Sequence, residues 1–391
     1  MSQNQLNKQN AMMRVIFLLF MFGLSIGDAF NVIYVRRLAE KMVETSQIDF
    51  YINLPITGMY AMMIIGVAFA GMLARRSGGF IPFMRIVGII TAAGMLVRGL
   101  AFSYWVLLAG FLIDGFGYGC IFIAIRYYAF LFDDPSQRLA SLVHVNVGAF
   151  AGQCMGTILG GILAGQMHYR TVYLMAVGIL VIPVLLLFFT KVEQPLKIGP
   201  LKNVFAVLKN KKAVVFMLFM VLPVYTCTVF VSYSVPLAVD SYGFSATVVS
   251  AMMLGNYIIG AYASPFMTDL VTKRISSDKA CILYGAITAV MILLYSLIGG
   301  MILMLITVVV LGLADAFGFS VLMDGYNKTK GDHDYTDNDA LVAFILMTRV
   351  GMAVAPTLIT AVHSTVILSV VVVAGIVLFV LFGGIKKEEA Q

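Results

Sequence analysis

Apolar runs long enough to cross a bilayer, about 20 residues for a helix, follow one another from Met12 to Gly383 with short polar joints between them. They fall at 12–35, 51–72, 82–103, 105–131, 139–166, 170–190, 214–238, 244–268, 279–298, 300–323, 338–361 and 364–384. Each run predicts a helix, because a segment bathed in hydrocarbon has to satisfy its peptide groups internally. The tightest joints stand near 104, 299 and 362. One longer polar connection, Lys191–Lys212, carries Pro195, Pro200 and six lysines in the middle of the chain. The pattern predicts an all-α polytopic membrane protein of 12 transmembrane helices. It divides into an N-terminal six-helix bundle (1–190), a linker (191–213) and a C-terminal six-helix bundle (214–391).

Composition sharpens this reading. Of all residues 61% are hydrophobic and 12% charged, with a mean hydropathy of +0.97, whereas a soluble domain carries about 25% charged residues. Basic residues are retained on the cytoplasmic side of membranes. With the N-terminus inside, twenty lysines and arginines fall on inner segments and four (Arg36, Arg37, Lys41 and Arg170) on outer loops. The reading is a multi-pass protein of the inner or plasma membrane with both termini and the linker cytoplasmic. The net charge of +7 then reflects topology, and no basic face is left for nucleic acid. Met12–Val35 is too long for the apolar core of a cleavable signal. The four cysteines (Cys120, Cys154, Cys227 and Cys281) sit within spans without metal-ligand spacing, so they read as small apolar side chains. No metal, no cofactor and no enzymatic nucleophile motif is expected, and the absence of a P-loop argues against direct ATP drive.

Five ionisable groups lie where lipid is expected: Asp28, Arg98, Asp114, Asp315 and Arg349. At the centre of a transmembrane helix such a group costs at least ~2.5–3.5 kcal/mol, so its default meaning is functional. Asp28 and Asn31 are three apart and share an inward face. Arg98 with Asp114, and Asp315 with Arg349, occupy matching depths of adjacent spans. Each pair reads either as a structural ion pair or as a coupling element. A carboxyl in a low-dielectric cavity can load and release protons as the cavity faces each side in turn. Asp28, with no basic neighbour in sequence, is the first candidate, followed by Asp315 and Asp114. Asn31, Asn146, Gln153, Tyr225, Tyr233, Asn256 and Tyr257 are expected to line a substrate cavity together with Arg98 and Arg349, or else to hydrogen-bond between helices. Arg126 reads as an anchor snorkelling to the interface.

The fourth and tenth spans echo each other: Leu112–Gly119 reads LIDGFGYG and Leu313–Ser320 reads LADAFGFS, each with an aspartate at the same place. The two halves therefore read as pseudo-symmetric, as in duplicated transporters with a site near the midplane. Three stretches carry a family resemblance. Gly71-Met72-Leu73-Ala74-Arg75-Arg76-Ser77-Gly78-Gly79 is similar to the loop after span two of the major facilitator superfamily, with Arg75 where that loop has aspartate. Pro265–Asp269 with Lys273 and Arg274 looks like its second copy and keeps the acid, Asp269. In span five, Gly152-x-x-x-Gly156-Thr157-x-x-Gly160-Gly161 resembles the stretch of the drug:proton antiporter-like members, with Thr157 in place of proline. Gly351-x-x-x-Ala355-Pro356 in span eleven is a partner stretch that retains the proline. Phe111 stands where the family's fourth-span arginine would be.

The glycines Gly148, Gly152, Gly156, Gly160 and Gly161 leave one face of span five almost bare, suited to close helix packing or to a sliding seam between the halves. The resemblance implies a secondary active transporter, expected as a monomer in a lipid bilayer, whose partners are protons and a small-molecule substrate. The favoured expectation is proton-coupled export of small organic, neutral or cationic amphiphilic compounds by alternating access. Import or exchange of an organic anion through Arg349 or Arg98 is the alternative, as is a transport-inactive sensor.

Overall fold

The computed structural model describes residues 3–192, 201–329 and 335–383, and these contain helices and turns but no strand. In chain order the helices are α1 (Gln3–Ser25), α2 (Asn31–Ala39), α3 (Ile48–Arg76), α4 (Phe80–Leu100), α5 (Tyr104–Ala129), α6 (Pro135–Gln166) and α7 (Tyr169–Phe189). They continue with the short α8 (Leu201–Ala206) and the long α9 (Lys211–Ser241). The last five are α10 (Ala246–Thr272), α11 (Ser277–Ile298), α12 (Met301–Lys328), α13 (Asp337–Val362) and α14 (Val366–Gly383). Ten of them are long and apolar enough to cross a membrane, and Val366–Phe382 is a shorter apolar helix.

The first apolar run departs from expectation. It is not one helix. α1 ends at Ser25, the chain turns through residues 26–30, and helix resumes at Asn31. Inside the turn Asp28 N–H reaches back to Ser25 O at 3.1 Å and Phe30 N–H to Gly27 O at 2.9 Å, a tighter winding than the α-helical ladder. Elsewhere the tight joints are cut where short polar or glycine-rich stretches allow. Ser103 Oγ caps α5 by accepting from Val106 N–H. Gly299 and Gly300 hold φ of 70° and 90° between α11 and α12. Gly78 and Gly79, at φ of 84° and 145°, turn the chain between α3 and α4 in a region that a β-carbon disfavours.

α9 is continuous but twice widened, at the π-turns Met217–Val221 and Phe230–Ser234. Each precedes a proline by two residues, Pro223 and Pro236. A proline has no N–H to offer the carbonyl one turn back, and a wider turn absorbs that mismatch. Pro183, Pro265 and Pro356 likewise sit inside helices.

Two compact units emerge: Met1–Leu201 with Pro236–Ala251, and Lys202–Val235 with Met252–Gln391. Within the first, α1 runs along α6, α4 along α5 and α7, and α3 along α5. Within the second, α9 runs along α13, and α11 along α12 and α14. Counted by span within each unit, three pairings (first with fifth, third with fourth, third with sixth) therefore recur in both.

The α1–α6 contact is backbone on backbone. A β-carbon at Gly148, Gly152, Gly156 or Gly160 would run into the carbonyl of Arg14, Leu18, Phe22 or Ile26 respectively, one contact per turn. This corrects the idea of a seam between the halves for these four glycines: they close a contact inside the first unit. Gly161 faces another way, toward Ser250 and Ala246. On α13, Gly351 plays a comparable part, its missing β-carbon lying 2.6 Å from Leu222 O of α9.

Candidate functional site

The largest fully buried side chain is that of Arg98, near the end of α4. It is 1% exposed, as is its partner Asp114 on α5, and its Nη1 donates to Asp114 Oδ2 at 2.7 Å. Glycine makes this possible: a β-carbon at Gly94 would stand 2.5 Å from Asp114 N, and one at Gly110 2.5 Å from Arg98 Cγ. The second terminal nitrogen of Arg98 donates to Asn31 Oδ1 at the start of α2 and to Tyr173 OH on α7 at 3.1 Å. Tyr173 OH in turn donates to Asn31 Oδ1 at 2.7 Å. The guanidinium also lies over two rings, 4.0 Å from the centroid of Phe111 and 4.4 Å from that of Tyr173. One buried cation thus ties α2, α4, α5 and α7 together.

Three sequence expectations bear on this cluster. Arg98 and Asp114 do pair. Arg98, expected to face substrate, is 1% exposed with its terminal nitrogens on Asp114, Asn31 and Tyr173. Asn31 is 6% exposed and faces the same cluster, so it too belongs to the brace and not to an open cavity wall. Sequence reasoning missed Tyr173. A lone tyrosine in an apolar run carries no periodic signal. The clue was Arg98 itself, whose five donors one carboxylate cannot satisfy.

Asp28 sits three residues before Asn31, in the turn that interrupts the first span. It is half-buried, and Thr157 Oγ1 of α6 approaches its Oδ2 at 3.5 Å. Thr157 is the residue that replaces proline in the glycine stretch, so the departure from the family pattern supplies a hydroxyl for the carboxylate. The far side of the turn is anchored by Phe30, whose ring stacks on Tyr169 (5.0 Å, 9°) and tilts against Tyr173 (5.1 Å). A carboxylate at a helix break, with peptide groups released from the ladder, is a local arrangement suited to ion or proton binding.

In the second unit, Asp315 on α12 is half-buried, and Tyr284 OH of α11 donates to its Oδ1 at 2.6 Å. The ring of Tyr284 lies over Gly318, the glycine of the repeated motif, and a β-carbon there would meet it. The two repeat aspartates are therefore served differently, Asp114 by a guanidinium and Asp315 by a phenol. Arg349, the expected partner of Asp315, is half-buried on α13 and reaches Met352 Sδ through Nη1 at 3.1 Å.

The remaining predicted residues scatter. Asn256 is 6% exposed and its amide donates to Val308 O at 2.9 Å, so it bolts α10 to α12 and does not line a cavity. Asn146 accepts from Arg126 Nη1 at 2.7 Å. This makes Arg126 a link between α5 and α6, correcting its reading as a snorkelling anchor. Tyr233 is buried within the second π-turn, while Gln153, Tyr225 and Tyr257 are half-buried on α6, α9 and α10. Of the loop motif, Gly71 is buried in α3, Arg75 and Arg76 are exposed in its last turn and Gly78 takes a positive φ. Asp269 pairs with Lys273 at 2.7 Å on the exposed end of α10, and Pro356 is buried in α13. Among the described residues no group of three or more His, Cys, Asp or Glu could hold a metal ion.

The arrangement comprises one sealed ion pair and two half-buried carboxylates with hydroxyl partners, on a multi-pass helical scaffold. Solved structures share that scaffold. A bacterial homologue of the human lysosomal transporter Spinster, inward-facing and unoccupied, matches with a TM-score of 0.73 at 13% identity over 98% of each chain. An auto-inhibited POT-family peptide transporter matches with a TM-score of 0.74 at 13% identity, over 95% of this chain and 96% of that one. No curated protein sequence matches. The family model of the Major Facilitator Superfamily matches residues 10–333, and the chain belongs to that superfamily.

Proposed function

We propose that the protein is a secondary active transporter that exports small organic compounds, neutral or cationic and amphiphilic, in exchange for protons by alternating access. The observation that carries this reading is Asp28. A carboxylate in a break of the first span, half-buried and beside the hydroxyl of Thr157, supports the reading because an intramembrane acid with a polar partner suits a proton carrier. Asp315, half-buried against Tyr284, is the second proton carrier in this reading. Asp114 is set apart as the fixed counter-ion of Arg98.

Import or exchange of an organic anion needs a cation able to meet a carboxylate. Arg98 is sealed in its brace, so that alternative now rests on Arg349, half-buried on α13. Proteoliposomes with an acid lumen separate the readings. Addition of lipophilic cations should alkalinise the lumen, and small carboxylates should not. Acidification of the lumen by carboxylates alone, a proton entering with each anion, supports the anion carrier, and no change in luminal pH with any compound overturns proton coupling.

A further inference from the structure

At the end of the second unit where α9 and α11 begin and α12 and α14 finish lies a cavity of about 350 Å³. Its walls divide by chemistry. Lys211 and Lys212 enter from the first turn of α9 and Lys328 from the last turn of α12, with Asp278 as the one carboxylate in the lining. The apolar part of the lining includes Phe216, Phe379 and Phe382. Lys328 is held by Asp324 at 2.7 Å. Lys211 and Lys212 are exposed, and among the described residues no carboxylate forms an ion pair with either. The peptide groups at the start of α9 are already taken, since Asn210 Oδ1 accepts from Lys212 N–H and Ala213 N–H at 3.1 and 3.3 Å. The attraction left over is that of two ammonium groups.

The apolar wall leads outward. Phe379 meets Phe216 edge-on at 5.6 Å, and Phe382 lies 6.1 Å from Phe219. Phe382 is 68% exposed at the end of the last apolar helix, Val366–Phe382. Two lysines that pair with no carboxylate among the described residues, beside the exposed ring of Phe382, at the boundary between an apolar helix and a basic end, match one ligand chemistry. It has an anionic head and a hydrocarbon tail.

We propose that this cavity is a binding site for an acidic phospholipid, with Lys211 and Lys212 on its phosphate and an acyl chain along Phe382 toward Phe219. A soluble anion would use the lysines but leave Phe382 exposed. Basic pockets between transmembrane helices at the headgroup level hold acidic lipids in this way, each lysine contributing about a factor of five in affinity. The site is independent of the proposed transport reaction.

Native mass spectrometry of the full chain in detergent, titrated with phosphatidylglycerol or phosphatidylcholine, tests it. The expected result is retention of phosphatidylglycerol with a preference of about thirtyfold. Lys211→Gln with Lys212→Gln should abolish that preference, and arginine at both positions should keep it. Equal retention of the two lipids, or a preference that survives the glutamine pair, overturns the proposal. Inorganic phosphate at millimolar concentration should not displace the lipid; displacement assigns the site to soluble anions and overturns it too. If the glutamine pair does not fold, Phe382→Ala carries the test, because unchanged lipid retention there rules out the chain-binding wall.

Discussion

Arg98 and Asp114 face each other at 2.7 Å across the α4–α5 contact, each 1% exposed. Their partners reach further than the pair itself. Through Asn31 the same guanidinium grips the helix that begins after the break, and through Tyr173 it grips α7. The break is therefore not a loose connection: its downstream end is fixed by a buried charge and by the aromatic contacts of Phe30. Asp28 is thus followed closely by two anchored residues, Phe30 and Asn31.

Removing one half of the pair should cost more than removing both. Asp114→Leu leaves a buried guanidinium without its counter-ion, for which about 3–5 kcal/mol is expected. Asp114→Leu with Arg98→Met removes the stranded charge and should recover much of that loss. Thermal unfolding in detergent reads the difference. A single variant as stable as the parent would mean that the pair is not buried in this way.

The glycine face of α6 makes a position-specific prediction. Gly160→Ala places a methyl group into the Ile26 carbonyl at the edge of the break. Backbone cannot yield as a flexible side chain can, so overpacking of about 1–3 kcal/mol is expected. Gly178→Ala on α7, where nothing lies within 4 Å, should be neutral or mildly stabilising through helix propensity. Comparable losses of folded yield at both positions would contradict the α1–α6 contact.

Hydropathy made the helices legible because lipid solvation imposes one rule on every segment, and the repeat in LIDGFGYG and LADAFGFS marked corresponding places in α5 and α12. The Arg98–Asp114 pair was legible for the same reason, since intramembrane charges have few solutions. The break at residues 26–30 was not. It contains no proline, Gly27 is one glycine among 36, and what holds it is assembled from α4 and α7. Asn256 and Asn146 were read as cavity groups because an amide in an apolar run looks the same whether it faces water or, as here, a carbonyl or an arginine of another helix.

Tyr284 and Asp315 should be energetically coupled. Their hydrogen bond of 2.6 Å is one a phenylalanine cannot make. A double-mutant cycle of Tyr284→Phe and Asp315→Asn is expected to show a coupling of about 0.5–3 kcal/mol in unfolding. Simple additivity of the two single variants would remove Tyr284 from the account of this carboxylate.

Asp28→Asn is the decisive variant for proton coupling. Asparagine keeps the size of the side chain and its capacity to accept from Thr157, so the break and the brace should stand and the melting temperature should stay near that of the parent. An amide cannot carry a proton between the two sides. A transporter driven through Asp28 should therefore lose flux driven by a pH gradient while retaining substrate counterflow, which needs the carrier to cycle but moves no net proton. Both are measured in the same proteoliposomes, so a fault in folding or reconstitution appears in both, and a fault in coupling in one. Gradient-driven flux that persists at the parental rate in Asp28→Asn would transfer the proton-carrying role to Asp315, whose asparagine variant is tested by the same pair of measurements.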